Sequence, residues 1–393
     1  METLRRFSVR HGWACFGVLL FAVCALLVFW DALPPYAAIV SPDSGPFFPF
    51  AYRTQLLERL LGGHTFTPHT LYWLVFPPLA AHELTYILDS LMLALGGVFY
   101  LRGRGAHPAA AWFGGLALGL CGYTFTLFAA GHRGYYHMFG CAVWAFGLLT
   151  RCFETKRLFY FAGLGLVLAW GATCQPDVLL LLGGVAGLYA LWLTFRTRRE
   201  VGKRIMSVWP RFAVSVFFLA AAGFASLRST LTVTMANRDA QIANVAAAEK
   251  HASGQAAAGN AAQAAEDRWR FATGWSLPPE DALEFIAPGV FGDESMQMPY
   301  PYWGRLGRPA DELFQKGRMM PNYRGHTVYL GVLSVAFAIF GVSVWFAGGR
   351  RGAGAAQTGC DASDVPFWVG VWAVCFVLSL GRYTPAYRVF YAL

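Results

Sequence analysis

Apolar residues gather into nine long stretches, at about 12–30, 85–101, 109–130, 138–150, 158–174, 178–195, 209–227, 326–347 and 365–381. The hydrocarbon core of a bilayer takes about 20 apolar helical residues. The pattern therefore predicts an all-α polytopic membrane protein of about nine transmembrane helices, the shorter stretches borrowing flanking residues. Positive charges that resist translocation orient such a chain. Arg5, Arg6 and Arg10 precede the first stretch, and Arg102 and Arg104 follow the second. Arg151, Lys156 and Arg157 follow the fourth, Arg196, Arg198, Arg199, Lys203 and Arg204 the sixth, and Arg350 and Arg351 the eighth. Every second connection is basic. The N-terminus is thus expected in the cytoplasm, and the two long connections, 31–84 and 227–325, on the outer face of the cell membrane. Three regions follow: an N-terminal membrane module over 1–227 with about seven spans, an outer-face region over 228–325, and C-terminal spans over 326–393.

Composition agrees with a membrane chain. It is 56% hydrophobic and 13% charged, against about a quarter charged in soluble domains, which excludes a soluble enzyme. Segment 227–325 holds ten Lys or Arg against eleven Asp or Glu, so the net charge of +9 resides mostly on the inner face. That excess reports topology and attraction to the bilayer's inner leaflet, and implies no nucleic-acid partner. The basic start followed by 13–30 reads as an anchor, because the apolar run exceeds the 7–15 residues of a signal peptide. Segment 240–266, rich in Ala and Gln, reads as a frayed surface helix or spacer. The eight cysteines have no CxxC spacing, so neither a disulfide framework nor a zinc site is expected.

The first outer segment opens with five prolines between Pro34 and Pro49, which exclude a regular helix there. From Phe50 to Leu61 the periodicity is that of an amphipathic helix with Tyr52, Leu56, Leu57, Leu60 and Leu61 on one side, suited to lying along the interface. Asp43 falls in the proline-stiffened turn, where it either meets a lipid headgroup or caps a turn. In the second outer segment, prolines and glycines punctuate Trp275, Phe285, Phe291, Tyr300, Tyr302 and Trp303, an irregular aromatic loop of the kind that packs on a bilayer surface. Short outer turns add His132, Arg133 and His137, then Gln175 and Asp177. Asp177 at a span boundary is either functional or a helix cap. No HExxH or other ligand spacing links the histidines, so no metal is expected. Asp89 is the clearest ionisable residue inside a span.

Several short motifs resemble the YfhO-like bacterial membrane proteins. They are Asp43 followed by Pro46-Phe47 and a helix ending in Gly62-Gly63, YLRGRG at 100–105, Gly131-His132, CQPD at 174–177, SLPPEDALEFIAPGVFG at 276–292 with Tyr302-Trp303-Gly304, and LSLGRYTPAYRVFYAL at 378–393. The resemblance covers nearly the whole chain and implies a GT-C-like bundle, the fold of glycosyltransferases that take a sugar from a polyprenyl-phosphate carrier to an envelope polymer or lipid acceptor on the outer face. It implies Asp43 as catalytic acid, with Asp31 a weaker substitute and Asp177 a second candidate. No bound cofactor is implied; the lipid-linked sugar is the donor. Arg53, His132, Arg133, Arg228, Arg238 and Arg324 are the outer-face groups that could hold the departing phosphate, with Gln175, Tyr302 and Trp303 beside them. Relatives of that family run longer, so the chain reads as a fragment or a truncated member. Two further readings compete: a lipid-linked glycan transporter using Asp89, and a non-catalytic assembly scaffold.

The alternation of basic connections predicts that a reporter enzyme fused at Ala258 is active only outside the cytoplasm; a cytoplasmic signal there would invert the topology.

Overall fold

The computed structural model describes residues 2–32, 39, 48–61, 68–251, 266, 269, 272–274, 276–292, 303–304, 328–349 and 362–392. Among them every regular element is helical. The helices are α1 Glu2–Val28, α2 Phe48–Leu61, α3 Pro68–Val75, α4 Pro78–Gly103, α5 Pro108–Gly119, α6 Gly122–Ala130, α7 Arg133–Thr155, α8 Leu158–Cys174, α9 Pro176–Phe195, α10 Val201–Val208 and α11 Phe212–His251. Beyond them lie Val332–Gly349, Val365–Ser379 and Pro385–Ala392.

Four helical stretches are long and apolar enough to cross a bilayer: Pro78–Gly103, Pro108–Phe128, Val178–Phe195 and Val201–Arg228. Gly12–Val28, Leu158–Cys174, Val332–Ala347 and Val365–Ser379 are shorter apolar helices. Little of this apolar surface is covered by protein: only 22% of the apolar window in Val178–Phe195 and 11% of that in Val201–Arg228 is buried. Leu180, Leu181, Phe217, Leu333 and Phe340 all stand exposed. Apolar surface on this scale needs a covering, and lipid supplies it.

Several boundaries differ from the hydropathy pattern, for local reasons. α4 starts seven residues before its apolar stretch, because Pro78 sits at the first helical position, where its missing N–H costs nothing. The stretch 109–130 divides into α5 and α6 at Cys121, whose extended backbone lets the Tyr123 N–H reach the Tyr329 carbonyl at 3.0 Å. α11 runs on through residue 227 to His251, so the expected division between membrane module and outer region falls inside one helix. Its 40 residues span about 60 Å, twice the hydrocarbon thickness, and its second half is the polar one. α2 begins two residues before the predicted Phe50, and only Tyr52, Leu56 and Leu60 pack inward; Leu57 and Leu61 are exposed.

The core is built in two tiers. Phe21, Ala25 and Phe29 of α1 meet Tyr86, Leu93 and Ala94 of α4, Leu127 and Phe128 of α6, and Tyr136 of α7. Ala145, Phe146 and Leu149 of α7 meet Leu164 of α8 and Tyr189 and Leu193 of α9, with Phe367 and Trp368 packed against them. Lipid offers no hydrophobic drive for helices to associate, so small residues and interhelical hydrogen bonds carry the contacts. A Cβ on Gly115 of α5 would lie 2.5 Å from the Ala94 carbonyl oxygen of α4. Tyr136 donates to Ser90 Oγ at 2.7 Å, Trp144 Nε1 to the Met92 carbonyl at 2.9 Å, and Ser215 Oγ to the Phe161 carbonyl at 2.8 Å.

At one end of the bundle, buried Asp364 gathers cations and hydroxyls from the ends of α4 and α9. Arg104 Nε lies 2.9 Å from Asp364 Oδ2 and Arg196 Nη1 3.4 Å from Oδ1; Tyr189 donates to Oδ2 at 2.6 Å. Asp364 directly precedes the Val365–Ser379 helix, which this network fastens to the early bundle. Elsewhere two motifs distant in sequence meet. Leu277 N donates to the Ser379 carbonyl at 2.8 Å, and Arg382 donates to the Thr273 carbonyl through Nε at 3.0 Å and Nη2 at 2.7 Å. The expected irregular loop thus holds a short 3₁₀ helix, Pro279–Phe285, docked on the turn after Ser379.

Gly115→Val is expected to force α4 and α5 apart, at a cost of about 2 kcal/mol, and to lower the unfolding midpoint in detergent. Gly183→Val, with nothing within 4 Å of its added Cβ, leaves the midpoint unchanged; equal midpoints for the two variants would contradict this packing.

Candidate functional site

Three helices bring ionisable groups to one cavity of about 270 Å³ at the end of the bundle away from Asp364. α2 and α3 form one wall through Tyr52, Leu56, Leu60 and Trp73, and Thr173, Cys174 and Ser226 close another side. On α4, the residues His82, Thr85 and Asp89 recur every three or four positions, so they share the buried face of that helix. On α7, Arg133 and His137 stand one turn apart on a common face.

What starts α7 also aims Arg133. Gly131 ends α6 with φ 84°, a left-handed conformation that suits glycine, and His132 then precedes the first turn of α7. Arg133 Nη1 lies 3.2 Å from His82 Nδ1, and its guanidinium sits 5.9 Å from the Tyr52 ring centre. Arginine only donates, so His82 Nδ1 accepts and its Nε2 carries the proton, donated to the Ile39 carbonyl at 2.8 Å. Ile39 is in this way pinned against the bundle.

At the cavity's depth Asp89, 3% exposed, receives two imidazoles on one oxygen. His69 Nε2 lies 2.7 Å and His137 Nδ1 3.0 Å from Asp89 Oδ1. A carboxylate oxygen accepts, so each of those nitrogens donates. The rings sit 3.8 Å apart, and Trp170 packs against both, at 5.4 Å from His69 and 4.5 Å from His137. His137 Nε2 is buried without a hydrogen-bond partner among the described residues. Tyr72 of α3 donates to Thr85 Oγ1 at 3.4 Å, and burial pushes its phenol well above the usual range, so it stays a neutral donor. The set can hold and pass a proton, bind an anion at Arg133, or ligate a metal.

Of the residues expected from sequence, Arg133 lines the cavity. Gln175 precedes α9 and abuts Gly134, which lines it too; a Cβ there would lie 2.6 Å from Gln175 Oε1. His132 stacks beside Tyr135 at 5.5 Å outside the lining, Arg53 reaches the Phe76 carbonyl at 3.4 Å, and Arg228 is exposed on α11. Trp303 is exposed, its N–H on the Phe291 carbonyl at 2.8 Å. Asp177 is the second residue of α9 and Arg238 belongs to α11, but their side chains, like Asp43, Tyr302 and Arg324 entirely, lie outside the described residues. The metal-free expectation overlooked His69, whose partners are 20 and 68 positions away, too far for any spacing motif. The polar stripe His82, Thr85, Asp89 within an apolar helix was the available signal.

Comparison with known proteins finds no matching protein family, no matching curated protein and no matching solved structure.

Asp89→Ala would leave the buried His137 ring and the partly buried His69 ring without their acceptor and is expected to destabilise the protein by about 3 kcal/mol. Asp89→Asn, which keeps a carbonyl acceptor, costs less. Unfolding midpoints of the two variants in detergent check the order.

Proposed function

We propose that this chain is a membrane transferase of the polyprenyl-phosphate type, moving a sugar from a lipid carrier to an envelope acceptor at the outer face. In this reading all nine apolar stretches cross the bilayer in a GT-C-like bundle, the N-terminus is cytoplasmic, and the cavity opens outward. The observation that carries it is the cavity's composition: leucines and aromatics of an amphipathic helix on one wall, Arg133 and an Asp89 carboxylate flanked by imidazoles on the other. A lipid-linked sugar needs that combination. Its volume, near the lower limit of about 300 Å³ for small-molecule sites, suits a sugar-phosphate headgroup whose tail stays in lipid.

In an inverting transfer, a carboxylate takes the proton of the acceptor hydroxyl as its oxygen attacks the anomeric carbon, and the carbon–phosphate oxygen bond breaks. The electron pair leaves with the lipid phosphate, where Arg133 stabilises the developing charge. The YfhO-like resemblance assigns the base to Asp43, which lies in sequence between Ile39, held at His82, and helix α2. Arg53, Arg228, Arg238 and Arg324 are further outer cations in this scheme, and Tyr302 and Trp303 anchor the outer loop at the interface.

One observation favours a second reading, ion-coupled transport of a lipid-linked glycan. Asp89 is buried inside a span with two titratable rings, and such acids mark ion pathways.

Membranes supplied with a polyprenyl-phosphate sugar distinguish the readings. Asp43→Asn is expected to lower transfer by about 10²-fold or more, the scale of a lost acid–base group, with expression intact, and Asp31→Asn far less. Equal transfer by wild type and Asp43→Asn would move the base to Asp177. Donor crossing the bilayer without sugar transfer would favour the transporter, and neither activity in a full-length chain the scaffold.

A further inference from the structure

His69, Asp89 and His137 each offer one ligand atom, and the three atoms lie within 4.8 Å of one another. Two imidazoles and one carboxylate form a donor set that binds divalent first-row metals. Three protein ligands with a position left open is the pattern of reactive zinc sites, whereas closed structural sites take four. The ligands come from three separate helices, and all three line the cavity, so the open position has access to whatever enters there.

Two further observations bear on how an ion would bind. The buried Nε2 of His137 has no partner among the described residues, so it can take the proton that Nδ1 gives up when an ion binds there. The contacts of 2.7 and 3.0 Å to Asp89 Oδ1 are hydrogen-bond lengths, whereas ligand atoms around tetrahedral zinc stand roughly 3.3 Å apart. The observed cluster is therefore the protonated form of the site. Small ring rotations would open it, each imidazole shifting its proton to the ring nitrogen turned away from the ion and so binding as a neutral ligand. Trp170, packed on both rings, limits the rotations available.

We propose that His69, Asp89 and His137 bind one divalent transition-metal ion of the zinc class, with its remaining position open to the cavity beside Arg133. The ion converts a buried carboxylate and two neutral rings into a centre of net charge +1. The ligand class this suits at the open position is an anionic oxygen, from water or a phosphate. The inference stands on the donor geometry and does not require glycosyl transfer.

The test uses the full chain, purified in detergent through a tag without histidine, stripped with chelator, incubated with Zn²⁺ or Co²⁺ and desalted. Wild type is expected to retain about one ion per chain, and the cobalt form to show the intense visible bands of a four-coordinate centre. His137→Ala and His69→Gln should each lose the ion. The second of these lies at the start of a short, partly exposed helix, so unchanged helix content and elution volume separate a lost ligand from a lost fold. His107→Ala, on the cap of α5, should keep the ion. Folded wild type retaining no ion would overturn the proposal, as would either ligand variant retaining as much as wild type.

Discussion

A carboxylate enclosed in a bundle whose outer surface is apolar must be solvated by the protein itself, and Asp89 sets that requirement here. Burying it unpaired would cost several kcal/mol. The two imidazoles that answer it come from different places: His137 from α7, already packed on α4, and His69 from α3, in the connection between the first two apolar stretches. The interior charge therefore folds that connection onto the bundle. The same logic repeats one turn nearer the surface, where Arg133 meets His82 and His82 holds the Ile39 carbonyl. The cavity exists because these two polar tiers hold α2 and α3 over the end of α4.

The opposite end obeys the same constraint with a different result. Asp364 is as buried as Asp89, yet its partners are two arginines, two tyrosines and a tryptophan. Those groups satisfy it by closing around it, and what they fasten is the Val365–Ser379 helix. Between the ends the helices touch through Gly115, Ala94 and interdigitated rings. One end thus holds an acid enclosed by its partners and the other an acid that lines a cavity, the arrangement a ligand needs.

Much of the fold was legible because hydropathy reports the solvent each helix meets. Each apolar stretch contains helix, although 109–130 is divided and the helix in 326–347 begins at Val332, and α2 was visible from its period. What failed turned on features that hydropathy does not read. The break at Cys121 depends on Tyr329, the path of α11 past residue 227 on a composition that favours helix beyond the apolar run, and the inward start of α4 on Pro78 and His82. At the site, Arg133 was legible from its position at a span end. Asp89 was legible as an ionisable group in an apolar helix. His69 was not, because nothing within its own segment marks it; only folding brings it to Asp89. The motifs SLPPED and LSLGRY, about a hundred positions apart, meet where the Arg382 backbone N–H donates to Ser276 Oγ and its guanidinium to the Thr273 carbonyl just upstream.

Helix α2 joins the cavity to the molecule's exterior. Leu56 and Leu60 face the cavity side, while Leu57 and Leu61, each one position on, are exposed. A single helix thus presents apolar surface both to the pocket and outward. A water-soluble ligand would gain nothing from such a wall. An amphiphile would keep its chain along the exposed leucines while its polar group reached Arg133 and the Asp89 cluster, at no cost of moving the chain through water. Among the described residues the helix is held by Arg53 on the Phe76 carbonyl, by Tyr52 against Trp73 and beneath the Arg133 guanidinium, and by the leucines below. Under the proposed lipid-carrier reading, Asp89, fixed by two rings, is the floor against which a headgroup would settle.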